Sequence, residues 1–352
     1  LYVYVAAVTL LAWGNLGSHL VSDRRPESVL AAGGFVAAGF VAGLLAQLAV
    51  GEVLGPPAGI EVFAFLAASG AILAALLREV LFQRDDPLVM VTVALLLWLF
   101  ASLNVTVSTT RIAVALGITA GLGVLSYQLE TASLPGMLTG VFLALLTLVL
   151  GDYGWFAMLI AFFGIGGLST KYAYDEKLAR GIAEANEGAR GTGNVLANSL
   201  VALLAVLAAA ASQDLALSRT LFLFAFAGSI AAALADTLSS EIGGLYDDPR
   251  MITNFRVAEP GTDGAITWQG EVAGLVGAVL VAGLGFGLLP TIDGPGAAVI
   301  VVAGFVGMTV DSLLGATLEG WLVGNQGVNL LATLAAAVAA AALATGFGLV
   351  PA

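Results

Sequence analysis

The stretch Ala233-Leu234-Ala235-Asp236-Thr237-Leu238-Ser239-Ser240-Glu241-Ile242-Gly243 closes an apolar run that begins near Leu221. Its reading decides the fold. Such a run is long enough to cross a bilayer, which takes about 20 apolar residues. A carboxylate at membrane depth costs about 2.5–3.5 kcal/mol on insertion scales, so Asp236 and Glu241 mark either a polar contact between helices or a site. A second run ends the same way, in Val310-Asp311-Ser312-Leu313-Leu314-Gly315-Ala316-Thr317-Leu318-Glu319-Gly320. The two stretches predict spans whose acidic ends meet.

The composition around them agrees. The chain has 352 residues, 59% hydrophobic and 10% charged, with mean hydropathy +1.01; soluble domains carry about 25% charged residues. The expected fold is an all-α, polytopic integral membrane helix bundle. At about 20 residues per span there are about twelve segments, near 1–21, 28–50, 60–82, 88–107, 112–129, 134–150, 153–170, 192–212, 217–242, 271–290, 296–320 and 325–350. Those at 112–129 and 134–150 are short and glycine-bearing, so a tilted or re-entrant course is open for them. The first run, Tyr2 to Val21, has the length of a span rather than of a cleavable signal. Trp13, Trp98, Trp155, Trp268 and Trp321 are expected as interface anchors.

Several chemistries fall away at once. The absence of cysteine excludes disulfides, thiolate metal sites and cysteine nucleophiles. The one histidine, His19, leaves little room for a Ser-His-Asp triad or a histidine metal cluster; with Asn15 on the same face it reads as packing or interfacial. The net charge of -12 argues against nucleic acid, which needs a basic patch. Acid excess with only Lys171 and Lys177 as lysines resembles the solvated surface of a halophile.

Orientation follows from the bias of lysine and arginine toward cytoplasmic loops. With the N-terminus outside, the inner loops and inner helix ends hold Arg24, Arg25, Arg78, Arg84, Lys171, Lys177, Arg180, Arg190, Arg250 and Arg256, and the outer side keeps Arg111 and Arg219. Both termini are then outside, and residues 171–191 and 243–270 form long cytoplasmic loops. Asp236 to Glu241 and Asp311 to Glu319 both fall at cytoplasmic helix ends. Two further helices begin on that side with Asn194 and Asn198, and with Asn325, Asn329 and Thr333. Residues four apart share a helix face, so each pair forms a polar stripe entering from the cytoplasm. The loop Gly261-Thr262-Asp263-Gly264 is on the same side. Residues 1–107 lack intramembrane carboxylates and are set apart as an accessory module, with 108–352 as the catalytic membrane domain.

The gathered residue types suit phosphate chemistry. Asp236, Asp263 and Asp311, with Glu241 and Glu319, are hard oxygen ligands for magnesium, which takes one or two carboxylates plus substrate phosphates. Lys171, Lys177, Arg180 and Arg190 are candidates to neutralise phosphate. Asn194, Asn198, Ser240, Asn325 and Asn329 suit phosphate or ribose oxygens, and Gly261, Gly264 and the helix start at 192 offer backbone N–H groups to anions. The alternatives stay beside these roles. Asp236 and Asp311 also fit a structural polar pair, the asparagines interhelical hydrogen bonds, the cations the demands of topology, and the glycine turn a loop without a ligand. Phosphoryl transfer needs mainly positioning and charge neutralisation. A phosphate acceptor, already ionised, needs no general base, consistent with a chain nearly lacking histidine.

Gly191-Thr192-Gly193-Asn194-Val195-Leu196-Ala197-Asn198, Ala235 to Gly243, Gly261 to Gly264, Asp311-Ser312-Leu313-Leu314-Gly315-Ala316 and Asn325-Gln326-Gly327-Val328-Asn329 occur in that order. Residues 111–350, which contain them, resemble the domain-of-unknown-function 92 family, also called the transmembrane protein 19 family, whose plant branch includes phytyl-phosphate kinase. The resemblance implies a kinase acting on an isoprenyl monophosphate such as phytyl or geranylgeranyl phosphate. Its donor would be CTP or another nucleoside triphosphate. Asp236, Asp311 and Asp263 would be the catalytic carboxylates, in an archaeal, salt-loving setting. The rival readings are an ion-coupled transporter or lipid flippase, a lipid-phosphate cytidylyltransferase, and a non-catalytic scaffold.

Overall fold

A computed structural model describes residues 1–21, 28–55, 58–81, 85–103, 107–184 and 188–351. Arg24, Arg25 and Arg84, used above for orientation, lie outside the described residues. The elements are α1 (Tyr2–Val21), α2 (Val29–Leu54), α3 (Ile60–Val80), α4 (Asp86–Ser102), α5 (Thr109–Gln128), α6 (Leu134–Leu146) with a π-helical end (Thr147–Gly151), α7 (Tyr153–Lys171), α8 (Tyr174–Ala179), α9 (Thr192–Ala210), α10 (Arg219–Gly243), strands β1 (Arg250–Met251) and β2 (Ala265–Ile266), α11 (Trp268–Leu288), α12 (Gly294–Leu318) and α13 (Asn325–Gly346). Among the described residues 11 helices are long and apolar enough to span, and α4 is a shorter apolar helix. The expected helical membrane bundle is what forms, with α5 and α6 as full segments.

The chain packs as two units, Leu1–Val149 and Leu150–Ala352. The division expected near residue 108 rests on where intramembrane carboxylates begin; the packing boundary falls later because α5 and α6 pack with α3 in the first unit. In that unit α3 is the buried centre, with Phe65 to Leu76 enclosed. Gln47 of α2, fully buried, donates from Nε2 to the carbonyls of Gly43 and Phe63, both at 3.1 Å. Arg111 donates from Nε and Nη2 to Leu148 O at 3.0 and 2.8 Å.

The second unit is built around α10, which packs against α7, α9, α11, α12 and α13. Its residues Phe226 to Ala235 are all buried. Lipid tails are as apolar as leucine, so helices in a bilayer associate by close approach of small residues. That is the pattern here. Gly228 of α10 faces Ala336 O and Ala340 of α13. Gly304 of α12 faces Ala231 and Ala278, and Gly277 of α11 lies on Leu234 O. Trp155, expected as an interface anchor, is instead buried at 2% exposure, with its ring 4.8 Å from that of Phe226. Trp13, Trp98, Trp268 and Trp321 are exposed.

Candidate functional site

Asp236 and Asp311 each lie seven residues before their helix ends (243 − 236 and 318 − 311). At about 1.5 Å per residue that is about 10 Å deep from one end of the unit. The small-residue packing of α10 on α12 brings the two together: their carboxyls are within hydrogen-bonding reach of each other. Asp311 Oδ2 is buried and has no hydrogen-bond partner among the described residues. Two ionised carboxylates in contact repel unless a proton or cation lies between them.

The loop before α11 completes this end. Strands β1 and β2 pair antiparallel, Arg250 with Ile266 and Met251 with Ala265. The turn Gly261 to Gly264 thereby docks on α12. Gly264 has φ +74°, and a Cβ there would lie 2.5 Å from both Ala316 N and Ser312 O, so only glycine lets the loop come this close. Docking carries Asp263 near enough for its charge to act on Asp311. Thr267 caps α11 and reaches Gly243 O at 3.3 Å, tying the loop to the end of α10.

Around the aspartates the carboxylates divide. Glu319 hydrogen-bonds with Asn325, and its charge acts on both Asp236 and Asp311. Burial raises the Glu319 carboxyl above its ordinary range, Asp263 adds to the rise, and the bond from Asn325 opposes it. Glu241 is engaged elsewhere: Lys177 Nζ donates to its Oε2 at 2.6 Å, to Ser169 O at 2.8 Å and to Thr170 O at 3.3 Å. An ammonium has three hydrogens, and all are taken. The expectation of Lys177 on a phosphate and Glu241 on a metal therefore gives way to a buried ion pair joining the end of α7 to α10. Among the described residues no group of three or more Asp, Glu or His lies close enough to hold a metal ion; of the five expected carboxylates, Asp236 and Asp311 lie together and Asp263 and Glu319 act on Asp311 from nearby.

Arg190 is also buried, at 7% exposure. Its guanidinium lies 4.9 Å from the centre of the Phe162 ring, and a Cβ on Gly166 would meet Nη2 at 2.7 Å. Phe162 and Gly166, one turn apart on α7, form the shelf on which it rests. Burial pulls its pKa down, while Glu241, Glu184 and Asp236 pull it back up. Arg190 thus supplies positive charge to Asp236 from within the fold. Asn194 Nδ2 faces Glu184 Oε1 at 3.5 Å, and the buried Asn198 donates to Asn194 O at 3.0 Å. Asn329 is buried and Asn325 exposed. Lys171, half-buried, stands in the last turn of α7, and Ser240, exposed, in that of α10. Arg180 pairs with Glu176 and Asp247 at 3.1 and 3.0 Å.

Sequence reasoning missed one residue. A Cβ on Gly193 would lie 2.5 Å from Gln326 Nε2, so Gln326 touches the first turn of α9. Its place between Asn325 and Asn329 was the signal available. The oxygen donors fit a hard divalent cation: magnesium asks for one or two carboxylates and completes its shell with water and phosphate, and Asp311 Oδ2 is an acceptor without a donor.

A family profile described as integral membrane protein DUF92 matches residues 117–337. An uncharacterised membrane protein of Methanocaldococcus jannaschii is 35% identical over 205 residues, 56% of this chain and 80% of that protein. An uncharacterised membrane protein of Synechocystis is 34% identical over 194 residues, 53% of this chain and 73% of that one. The chloroplastic protein VTE6 of Arabidopsis thaliana is 32% identical over 182 residues, 50% of this chain and 54% of its own length. No solved structure matches the chain.

Proposed function

The chain belongs to the DUF92 family of integral membrane proteins, and on that premise we propose that it is a prenyl-phosphate kinase. A terminal oxygen of an isoprenyl monophosphate attacks the γ-phosphorus of CTP or another nucleoside triphosphate. The bond from that phosphorus to the β–γ bridging oxygen breaks, and the products are the isoprenyl diphosphate and the nucleoside diphosphate. Phytyl and geranylgeranyl phosphate are the proposed acceptors, entering from the bilayer with the phosphate at the cytoplasmic face.

The observation that carries this reading is the contact of Asp236 with Asp311, with its unpartnered Oδ2, at one end of the bundle. Magnesium bound there would offset phosphate charge and align donor and acceptor. Asp236 and Asp311 would hold it, with Asp263 and Glu319 close enough to act through water. Arg190 and the Lys177–Glu241 pair would set the charge and position of α10 around Asp236. Lys171, Ser240 and the asparagines at the starts of α9 and α13 would meet the substrates. A transporter calls for polar residues near the middle of the membrane with access from both sides; these cluster at one end.

The test is product analysis. Purified protein given geranylgeranyl phosphate, CTP and Mg2+ is expected to yield geranylgeranyl diphosphate and CDP by mass. A CDP-linked lipid with free diphosphate would mean cytidylyl transfer instead. No product from any nucleoside triphosphate would count against an enzyme of this class.

A further inference from the structure

Between β1 and β2 the chain turns back at Thr253-Asn254-Phe255-Arg256. Backbone hydrogen bonds fasten this turn: Phe255 N donates to Met251 O at 2.8 Å, Met251 N donates to Arg256 O at 2.9 Å, and Val257 bridges Arg250. Side chains add two more, from Arg256 N to Asn254 Oδ1 and from Arg250 Nη1 to Phe255 O, both at 3.0 Å. Together they hold Phe255 at φ +57°, in the left-handed region that a bulky side chain rarely adopts. Glycine or asparagine would sit there at less cost.

The strain does not serve to bury the ring, since Phe255 is 64% exposed. Backbone held in such a region by its surroundings gathers at ligand sites. Placement adds a separate observation. Phe255 lies beside Met251, and Met251 pairs with Ala265, so Phe255 is roughly 10 Å from the Ala265 backbone, two strand spacings away. Ile252 N donates to Gly264 O at 3.0 Å, and Gly264 rests on Ser312 O and Ala316 of α12. A short run of backbone contacts thus fixes the exposed ring to the turn that brings Asp263 to Asp311. Arg256, next in the chain, is exposed as well.

We propose that the Phe255 ring is the stacking platform for the nucleobase of the phosphoryl donor, with the Arg256 guanidinium beside it for the phosphate chain. The proposal rests on the kinase reading for its ligand, a nucleoside triphosphate whose γ-phosphate lies at the aspartate pair. The tie from Phe255 to Asp263 then keeps base and reacting phosphate in register. Every base offers a π-face to an aromatic side chain, so the platform supplies affinity without choosing among bases.

The experiment measures binding to the full chain in detergent, with Mg2+, by calorimetry. CTP and inorganic tripolyphosphate are the probes; wild type, Phe255→Asn and Phe255→Tyr are the proteins. Asparagine accepts the left-handed backbone but has no aromatic face, and tyrosine keeps the face. CTP affinity is expected to fall about tenfold in Phe255→Asn and to stay near wild type in Phe255→Tyr, with tripolyphosphate affinity the same in all three. The melting temperature of Phe255→Asn should stay at or above wild type, which separates the loss from unfolding. Unchanged CTP affinity in Phe255→Asn, or an equal loss for both probes, overturns the proposal. So does a fluorophore on Phe255→Cys that nitroxide-labelled lipid quenches in vesicles and CTP leaves unchanged, because the ring would then belong to the bilayer. No nucleotide binding by wild type overturns it together with the kinase. Turnover with an unchanged KM for CTP in Phe255→Asn removes the platform and keeps the kinase, whereas ring-dependent CTP binding without turnover of a prenyl phosphate does the reverse.

Discussion

Lys177 and Glu241 are a buried pair whose worth shows only when one partner is removed. Side-chain exposures are 2% and 15%, and leaving one charge buried without the other costs about 3–5 kcal/mol. Lys177→Met and Glu241→Gln are each expected to lower unfolding stability in detergent by about that much, and Lys177→Met with Glu241→Leu by clearly less than the sum of the two. Strictly additive losses would mean that the pair is not coupled. This residue also marks where the sequence is hard to read. A lysine in a basic loop satisfies topology and phosphate binding equally well. What decides its role is that the ends of α7 and α10 arrive together, a tertiary fact with no local signature. Arg190 is the same case: its shelf of Phe162 and Gly166 lies on another helix, and neither residue type announces it. Asp236 and Asp311 were legible because a carboxylate at the end of an apolar run needs a reason wherever the run packs.

Helix contacts in the second unit are set by glycine and alanine. A Cβ on Gly307 of α12 would lie 2.9 Å from Ala336 Cβ and 3.1 Å from Ala332 O, whereas Gly283 of α11 has nothing within 4 Å. Gly307→Val is expected to destabilise by about 1–3 kcal/mol through overpacking, while Gly283→Ala is neutral or slightly stabilising through helix propensity. Equal thermal shifts for the two would contradict close packing as the cause. The spans themselves were plain in the sequence because length and apolarity suffice to define them. The end of α6 was not. Its π-helical turn leaves carbonyls that need donors, and Arg219 Nη2 supplies Leu150 O and Gly151 O at 3.0 and 2.9 Å while its guanidinium stands 5.5 Å from the Trp155 ring centre. Counting charges by loop registers Arg219 as an outer cation and cannot register that use.

For the whole molecule, the division at Val149 and Leu150 differs from the start of the family match at residue 117. A packing unit follows contacts, while a family match follows shared sequence. Orientation is directly testable because the chain has no cysteine. The proposed topology expects a membrane-impermeant maleimide to label Thr291→Cys, in the turn between α11 and α12, on intact cells. Glu259→Cys, in the loop that carries Asp263, should be labelled only after the membrane is opened; the opposite pattern would invert the topology. The central claim is that Asp236 and Asp311 hold one divalent cation for phosphoryl transfer. The most direct measurement is Mg2+-dependent turnover of geranylgeranyl phosphate with a nucleoside triphosphate by wild type, Asp236→Asn and Asp311→Asn, with folding checked by melting. Wild type should turn over, and each variant should lose at least a hundredfold while remaining folded. Full activity in both variants would contradict the account.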